Sequence, residues 1–415
     1  MKQLSKYSFG LGDRFGMQGK AQLQALSLAK KKGLNFDAVW NKSYREHQIT
    51  GTSPESVREE ADEAVGSLNW KDPYFVDADH IHLGTVEDFI GSSDFFTIDV
   101  ASYIGKKASD KALSDFYGKA KRYFGEFEKL DFPVEVKDLD RFLEQIGMRY
   151  VYAVEKAGEI YRLIEQKKGE GNFVAEVSMD EVKDPQTPLE IFFILMLLSD
   201  AQVPLQSFAP KFSGRFNKGV DYEGDLGHFE KEFEQDLLVL RQAVSLFGLS
   251  ENLKLSIHSG SDKFSIYPIM GRLLKKYDLG IHIKTAGTTW LEELTGLAEA
   301  GGQALDFVKA LYAESLERID ELTKPYADVL DISVKALPAA EELGSWDAQK
   351  LVHTIEHNPG HKDYNKDVRQ LLHVGYKIAA EQRELFDQLR KENIFMLERR
   401  VTENIYQKHI LRLFS

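Results

Sequence analysis

The 415-residue chain contains no cysteine. A disulfide framework, a thiolate metal site and a cysteine nucleophile are therefore excluded, and any metal must be held by His, Asp or Glu. Basic charge is also scarce, with 53 Lys and Arg against 66 Asp and Glu and a formal net charge of -13. Binding to nucleic acid or to an anionic membrane needs a basic footprint. The expected partner is thus a small molecule. No apolar run reaches the length of a membrane span, and the opening MKQLSKYSFGLGDRFG has no apolar signal core. The cytoplasm is the expected compartment. Internal repeats, low-complexity linkers and long heptad runs are missing as well.

What is present suits a large core: 43% of residues are hydrophobic and 29% charged. Short apolar segments occur at residues 7–12, 36–40, 74–76, 95–100, 173–179, 207–212, 253–258 and 279–284. Helical periodicity lies between them, at 20–32, 54–68, 188–201, 224–247 and 264–276. Strands alternating with helices indicate parallel βαβ units, and eight such strands predict a closed (β/α)8 barrel. The expected catalytic domain is residues 1–290, with a helical insertion at about 109–171 after the fourth strand. In that insertion Leu139, Phe142, Leu143, Ile146, Tyr150 and Val151 form one apolar stripe. Residues 291–415 read as a helical extension that covers the barrel or makes a homo-oligomer contact.

The stretch YFVDADHIHL, residues 74–83, begins as a buried strand and then presents Asp77, Asp79, His80 and His82. Burying charged groups costs several kcal/mol unless they are paired, hydrogen-bonded or coordinated. In barrel enzymes the active site lies at the C-terminal ends of the strands. The predicted strand ends carry GDRFGMQG, DADH, TIDVAS, AEVSMDE, Lys211, SIHSGSDKFS and GIHIKTAGTT. Side-chain parity directs Glu176, His258, His282 and Lys284 away from their apolar neighbours and into the barrel mouth.

A single histidine at such a place is more often a hydrogen-bonded core residue. His80, His258 and His282 together, with carboxylates nearby, suit a divalent cation with nitrogen and oxygen ligands. His47, His228, His353, His357, His361 and His409 fall in helical or loop contexts and read as surface or structural. Asp79 and Glu176 form a candidate acid/base pair. They read equally as metal ligands or as salt-bridge partners of Lys211 or Lys284. Asp79 and His80 are neighbours whose side chains point apart in an extended segment.

The Gly/Ser/Thr-rich loops HSGSDK and KTAGTT offer backbone N–H groups to a phosphate or a sugar carboxylate, unless they are simply tight turns. Candidate substrate contacts are Arg14, Gln18, Lys211, Ser259, Lys263, Lys284 and Thr285. The glycines of GDRFGMQG lack the G-x-G-x-x-G spacing, which removes a dinucleotide-binding reading.

The blocks YSFGLGDRFGMQGKAQLQA, DADH, FFTID, EVSMDE, APKFSGRFNKGVDYEGDL, LSIHSGSDKFSIYP, HIKTAGTTWLE and VRQLLHVGY run in order from residue 7 to residue 376. Together they resemble the tagaturonate epimerase family, some of whose members carry an additional segment before the GDRFG block. The resemblance implies a metal-dependent barrel enzyme interconverting D-tagaturonate and D-fructuronate. It implies Asp79 as proton acceptor, Glu176 as proton donor, and His80 and His258 as metal ligands. His282 joins them by its position alone. A retro-aldol route fits such an epimerisation, whereas transient oxidation would need a redox cofactor for which no nucleotide-binding motif is seen. Rival readings are a ketose 3-epimerase or aldolase on a related sugar, a glycosidase using the two carboxylates, and a non-catalytic sugar-acid binder.

Overall fold

The computed structural model describes residues 2–123, 136–285 and 287–414. Eight parallel strands close into a barrel in sequence order: β1 (Tyr7–Gly12), β2 (Asp37–Ser43), β3 (Tyr74–Ile81), β4 (Phe95–Asp99), β5 (Val174–Ser178), β6 (Ser207–Ala209), β7 (Lys254–Ile257) and β8 (Ile281–Thr285). The ring is completed by β8 pairing with β1, with Ser8 opposite His282 and Gly10 opposite Lys284. The expected (β/α)8 fold is thus the observed one. The two largest differences in strand length have physical reasons. β3 continues through its charged residues, because Asp77 and Asp79 face a polar barrel interior. β6 stops at Ala209, since Pro210 has no N–H to continue the ladder.

Alternation along the strands sorts two environments. Outward-facing residues such as Phe9, Leu11, Trp40, Val76, Phe96, Ile281 and Ile283 join the surrounding helices in the main core. Each fully buried residue of this kind contributes about 1.5–3 kcal/mol. Inside the barrel, Leu4, Val39, Phe75, Phe95 and Val174 form a small separate apolar floor. Above that floor the interior turns polar, with Asn41, Asp77, Thr97, Glu176, Ser256, His282 and Lys284 all buried. Gly10 is required there. A Cβ on it would lie 2.7 Å from Asn41 Nδ2 and 2.9 Å from Lys284 Cα.

The helices follow their local signals. Pro54–Ser67 and Pro188–Asp200 start on proline, and the second adds a Thr187/Glu190 capping box. The insertion includes Asp110–Ala120 and the 30-residue helix Leu139–Lys168. Leu143, Ile146, Tyr150 and Val151 of the expected stripe are buried in it, and Leu139 and Phe142 pack half-buried beside them. Residues 124–135 of the insertion lie outside the described residues.

Helix Thr288–Ala300 follows β8 and spans the expected boundary at residue 290. With Phe15 and the helices after it, it builds a second core containing Trp290, Leu294, Phe307, Leu311, Leu371 and Phe386. The chain then returns to the barrel, where Val401, Ile405, Ile410 and Leu413 enter the main core. Near that end the Phe414 ring sits 4.7 Å from Tyr7. Gly271 permits this docking, because a Cβ there would collide with Leu413 O. Among the described residues no helix is long and apolar enough to cross a membrane.

Candidate active site

The polar interior is organised around Lys284, which β8 points into the mouth. Its Nζ lies 2.7 Å from Asp77 Oδ2, 2.7 Å from Asp79 Oδ1 and 2.6 Å from Thr97 Oγ1. Glu176 Oε1 is 3.2 Å away. One ammonium therefore serves three buried carboxylates. Burial opposes the charged ammonium, but Asp77, Asp79 and Glu176 outweigh it and hold Lys284 well above the usual lysine range. Burial, with Asp79 and Glu176 alongside, pushes Asp77 up to about 6 against the pull of Lys284. Asp79 goes the other way: despite burial, Lys284, His80 and His258 hold it at about 2. Glu176, also despite burial, is kept well below the usual range by Lys284 and His258.

Nearer the surface, two imidazoles face further carboxylates. His258 Nε2 is 2.7 Å from Glu176 Oε1, while its Nδ1 lies 3.2 Å from Asp180 Oδ1 without a hydrogen bond. His80 Nδ1 is 3.3 Å from Asp99 Oδ2. The two rings are 4.9 Å apart, edge to face. Ligand atoms of His80, Asp180 and His258 all lie within 4.8 Å of one another. Burial disfavours both imidazolium ions. Asp79 and Asp99 nevertheless raise His80 well above the usual histidine value, and Asp180 and Glu176 raise His258. The carboxylates thus draw positive charge into this corner. The donor set fits a divalent cation, which would supply that charge in place of the protons and would give the orphaned His258 Nδ1 a partner.

The position of His80 departs from simple alternation. The register of β3 against β4 shifts between Ala78 and Ile81, and His80 adopts φ 54°. This bulge turns the imidazole back to the mouth, with Nε2 3.9 Å from Asp79 Oδ1. Asp79 and His80 therefore do not point apart as an extended segment requires. The left-handed conformation costs a non-glycine residue about 1–2 kcal/mol, and it brings the imidazole into the group of possible ligand atoms with Asp180 and His258.

The other predicted residues divide by what they touch. His282 is inside the barrel, one interior position below Lys284, and outside the His80–Asp180–His258 group. Its Nδ1 is 2.9 Å from Ser8 Oγ, and burial with the nearby Lys284 and His258 depresses it to about 3. Ser259, at φ 50°, follows His258 in the chain and accepts a hydrogen bond from Lys218 Nζ at 3.1 Å. Lys211 is half-buried in the loop after Pro210, with its backbone N–H on Gln186. Arg14 donates to the His373 carbonyl at 2.6 Å and to Glu46 at 3.2 Å, and stacks on Tyr376. Gln18 turns to Glu293 at 3.1 Å, and Thr285 donates to Gly10 O at 2.6 Å. Lys263 is wholly buried, and its ammonium donates to the carbonyls of Asn217, Val220 and Ser261. Those three bonds use all its donors for holding a loop. Of the two Gly/Ser/Thr-rich loops, Ala286 in KTAGTT lies outside the described residues.

Five residues of the site, Asp77, Thr97, Asp99, Asp180 and Lys218, received no role from the sequence, although Asp77 stood out in its stretch and Thr97, Asp99 and Asp180 lay in the strand ends. The parity argument applied to β3 and β4 would have found the first three, since Asp77 shares its face with Asp79 and Thr97 with Asp99. Asp180 lies past the end of β5, and Lys218 lies in an irregular loop, where no periodicity applies. The remaining histidines that read as structural include His357 and His409, which hold the β7 loop. Asp262 accepts from Arg369 at 2.9 Å and meets His357 Nδ1 at 3.1 Å, while its own N–H donates to His409 at 3.1 Å.

A closed parallel barrel whose mouth joins a buried acid/base cluster to a nitrogen-and-oxygen ligand set defines a barrel enzyme for a small polar substrate. The tagaturonate epimerase family matches residues 1–414, and the chain belongs to that family of carbohydrate epimerases. A tagaturonate/fructuronate epimerase of Thermotoga maritima is 28% identical over 426 residues, covering 98% of this chain and 79% of that protein. The glycerol-complexed fructuronate-tagaturonate epimerase of Cohnella laeviribosi superposes with a TM-score of 0.80 at 25% identity, covering 99% of this chain and 82% of that one. Its native form gives 0.77 at the same identity, covering 100% and 82%.

Proposed function

We propose that the protein interconverts D-tagaturonate and D-fructuronate in the barrel mouth, with a divalent cation held by His80, Asp180 and His258. The observation that carries this reading is the convergence of those three ligand groups beside the Lys284 carboxylate cluster, in a chain of this family. The two sugar acids differ at a hydroxyl-bearing carbon β to the ketone, where the C–H is not acidic. A retro-aldol route inverts it. Asp79, kept ionised at about 2, takes the hydroxyl proton. The bond to the carbon beside the ketone breaks, and its electron pair enters the ketone-bearing half as an enediolate. The new aldehyde turns, the C–C bond re-forms on its other face, and the alkoxide takes a proton from Glu176.

Lys284 closes the proton account, since its ammonium touches Asp79 at 2.7 Å and Glu176 at 3.2 Å. In one concerted relay it receives the proton from Asp79 and passes one to Glu176. The cation, when bound, supplies Lewis-acid stabilisation of substrate oxygens. Ser259, beside His258 at the rim, is assigned to a substrate hydroxyl. A second role for Glu176 is favoured by its 2.7 Å contact with His258 Nε2: a carboxylate behind a ligating imidazole fixes its tautomer and orientation.

Incubation with D-tagaturonate, before and after EDTA and with divalent metals restored, tests the reading. Fructuronate should form, stop on chelation and resume on readdition. Absence of fructuronate under every metal condition overturns the activity. Full turnover by a protein that elemental analysis finds metal-free overturns the cation. Turnover of neutral ketoses in preference to keto-hexuronates would place the enzyme with ketose epimerases instead.

A further inference from the structure

The loop after β6 presents a cation that the acid/base cluster does not use. Lys218 is half-buried, and its ammonium makes one hydrogen bond, to the neutral Ser259 hydroxyl at 3.1 Å. Among the described residues it forms no ion pair. The backbone around it is pinned at four points. Lys218 N donates to Val329 O at 2.9 Å, Lys263 Nζ takes the carbonyls of Asn217 and Val220, and Arg369 Nε takes that of Gly219. A hydrogen-bonded backbone thus holds a lightly partnered ammonium beside the residue that follows His258 and within electrostatic reach of Asp180, in a chain of net charge -13.

Its surroundings say what it lacks. Arg14 is nearby and of the same sign, but Glu46 neutralises Arg14 at 3.2 Å and the His373 carbonyl occupies its guanidinium. Burial, with Arg14 adding to it, lowers the Lys218 pKa even though Glu46, Glu181 and Asp180 pull the other way. A half-buried cation without a counter-ion gains from the arrival of an anion. Ser259 links Lys218 to His258 through one peptide bond, so an anion on Lys218 lies at the edge of the proposed reaction centre.

We propose that Lys218 receives the carboxylate of the substrate and thereby makes the enzyme select sugar acids over neutral ketoses. This rests on the keto-hexuronate reading given above. A compact ammonium suits the role, because it attracts as a point charge and tolerates a carboxylate that shifts as the two halves of the substrate turn.

The test compares wild type with Lys218→Met, which keeps the aliphatic stem, and Lys218→Arg, which keeps the charge. Lys218→Gln serves as a second neutral variant should the methionine form fail to fold. Turnover and equilibrium binding are measured with D-tagaturonate and with D-tagatose, its neutral counterpart. Loss of one charge-assisted contact should raise KM and Kd for tagaturonate by about 10- to 100-fold. Turnover at saturation and all tagatose values should stay within about threefold, and the arginine form should recover part of the loss. Unchanged tagaturonate binding in the neutral variants, or equal losses for both sugars, overturns the assignment. Wild-type protein that binds tagaturonate without epimerising it would overturn the proposed activity alone, leaving Lys218 to be judged on binding. Wild-type protein that binds no hexuronate overturns both.

Discussion

Two of the buried ion clusters among the described residues, the Asp262 latch and the barrel mouth, are built to different ends. At the Asp262 latch one carboxylate faces one guanidinium, Arg369, with both side chains fully buried. The adjoining imidazoles stay neutral there, with burial depressing His409 to about 4. Charge is balanced by protein groups from the β7 loop and the C-terminal extension. At the mouth, Lys284 alone serves Asp77, Asp79 and Glu176, while Asp180 and Asp99 face imidazoles. Buried atoms without a hydrogen bond occur in both, His258 Nδ1 and Glu176 Oε2 at the mouth and Asp262 Oδ2 and His357 Nε2 at the latch, so the charge balance is what separates them. A cluster that balances itself holds structure. One left with more carboxylates than cations suits the cation and substrate proposed for it.

Removing the single cation from each cluster gives the largest expected effect and the sharpest contrast. Lys284→Met and Arg369→Met each strand buried carboxylate charge, at a cost of about 3–5 kcal/mol. Only Lys284→Met should also abolish turnover. The pH response separates them further. Asp77 already sits up to about 6 and protonates readily, so the Lys284→Met deficit should shrink between pH 8 and pH 5. Asp262 is held well below the usual range by Arg369, His357 and His409 acting against burial, and after Arg369 is replaced the two histidines still favour its ionised form. Urea unfolding at the two pH values measures both deficits. Equal recovery in the two variants would erase the distinction drawn between the clusters.

Within the mouth, Asp79→Asn should lower turnover by about 10²–10⁴-fold while the fold and the bound ion persist. Because the bulge brings His80 within 3.9 Å of Asp79, ion content has to be measured alongside rate. Activity within a few-fold of wild type would remove Asp79 as the base.

The cation itself should add less. Saturating a native-state site at a hundredfold excess over Kd stabilises by about 2.7 kcal/mol. Addition of divalent metal should therefore raise Tm in wild type and not in His258→Ala. A wild-type Tm indifferent to every divalent ion tried would count against the ligand set.

Near neutral pH the smallest effects belong to histidines kept neutral by burial. Burial, with Lys284 and His258 nearby, depresses His282 to about 3; burial, with Lys42 nearby, depresses His47 to about 3. A folded pKa below the unfolded value means that the folded state rejects the proton. The stability is fully present above 6.5 and is lost as pH falls from there toward 3. Each group contributes a slope of about 1.4 kcal/mol per pH unit in that window. His282→Asn should flatten the acid limb by one proton in urea titrations, and an unchanged slope would show that His282 titrates freely.

Much of this was legible in one dimension, because alternation is a local property. Short apolar runs separated by helical periodicity implied eight parallel strands, and parity within β5, β7 and β8 turned Glu176, His258, His282 and Lys284 inward. The quoted blocks marked the family. Pairing across the barrel is not local, and there the structure decided. That Lys284 meets Asp79, 205 positions away, follows from closure of β8 onto β1 and not from any spacing. The bulge at His80 reverses what alternation implies, because the register of β3 against β4 is a property of two strands together. Asp180 joins His80 and His258, and Lys218 faces Ser259, only because loops after different strands share one rim. Residue chemistry and period are carried by the chain itself. Which charges finally neutralise one another is settled by barrel closure and by the C-terminal helices that pin the loops around it.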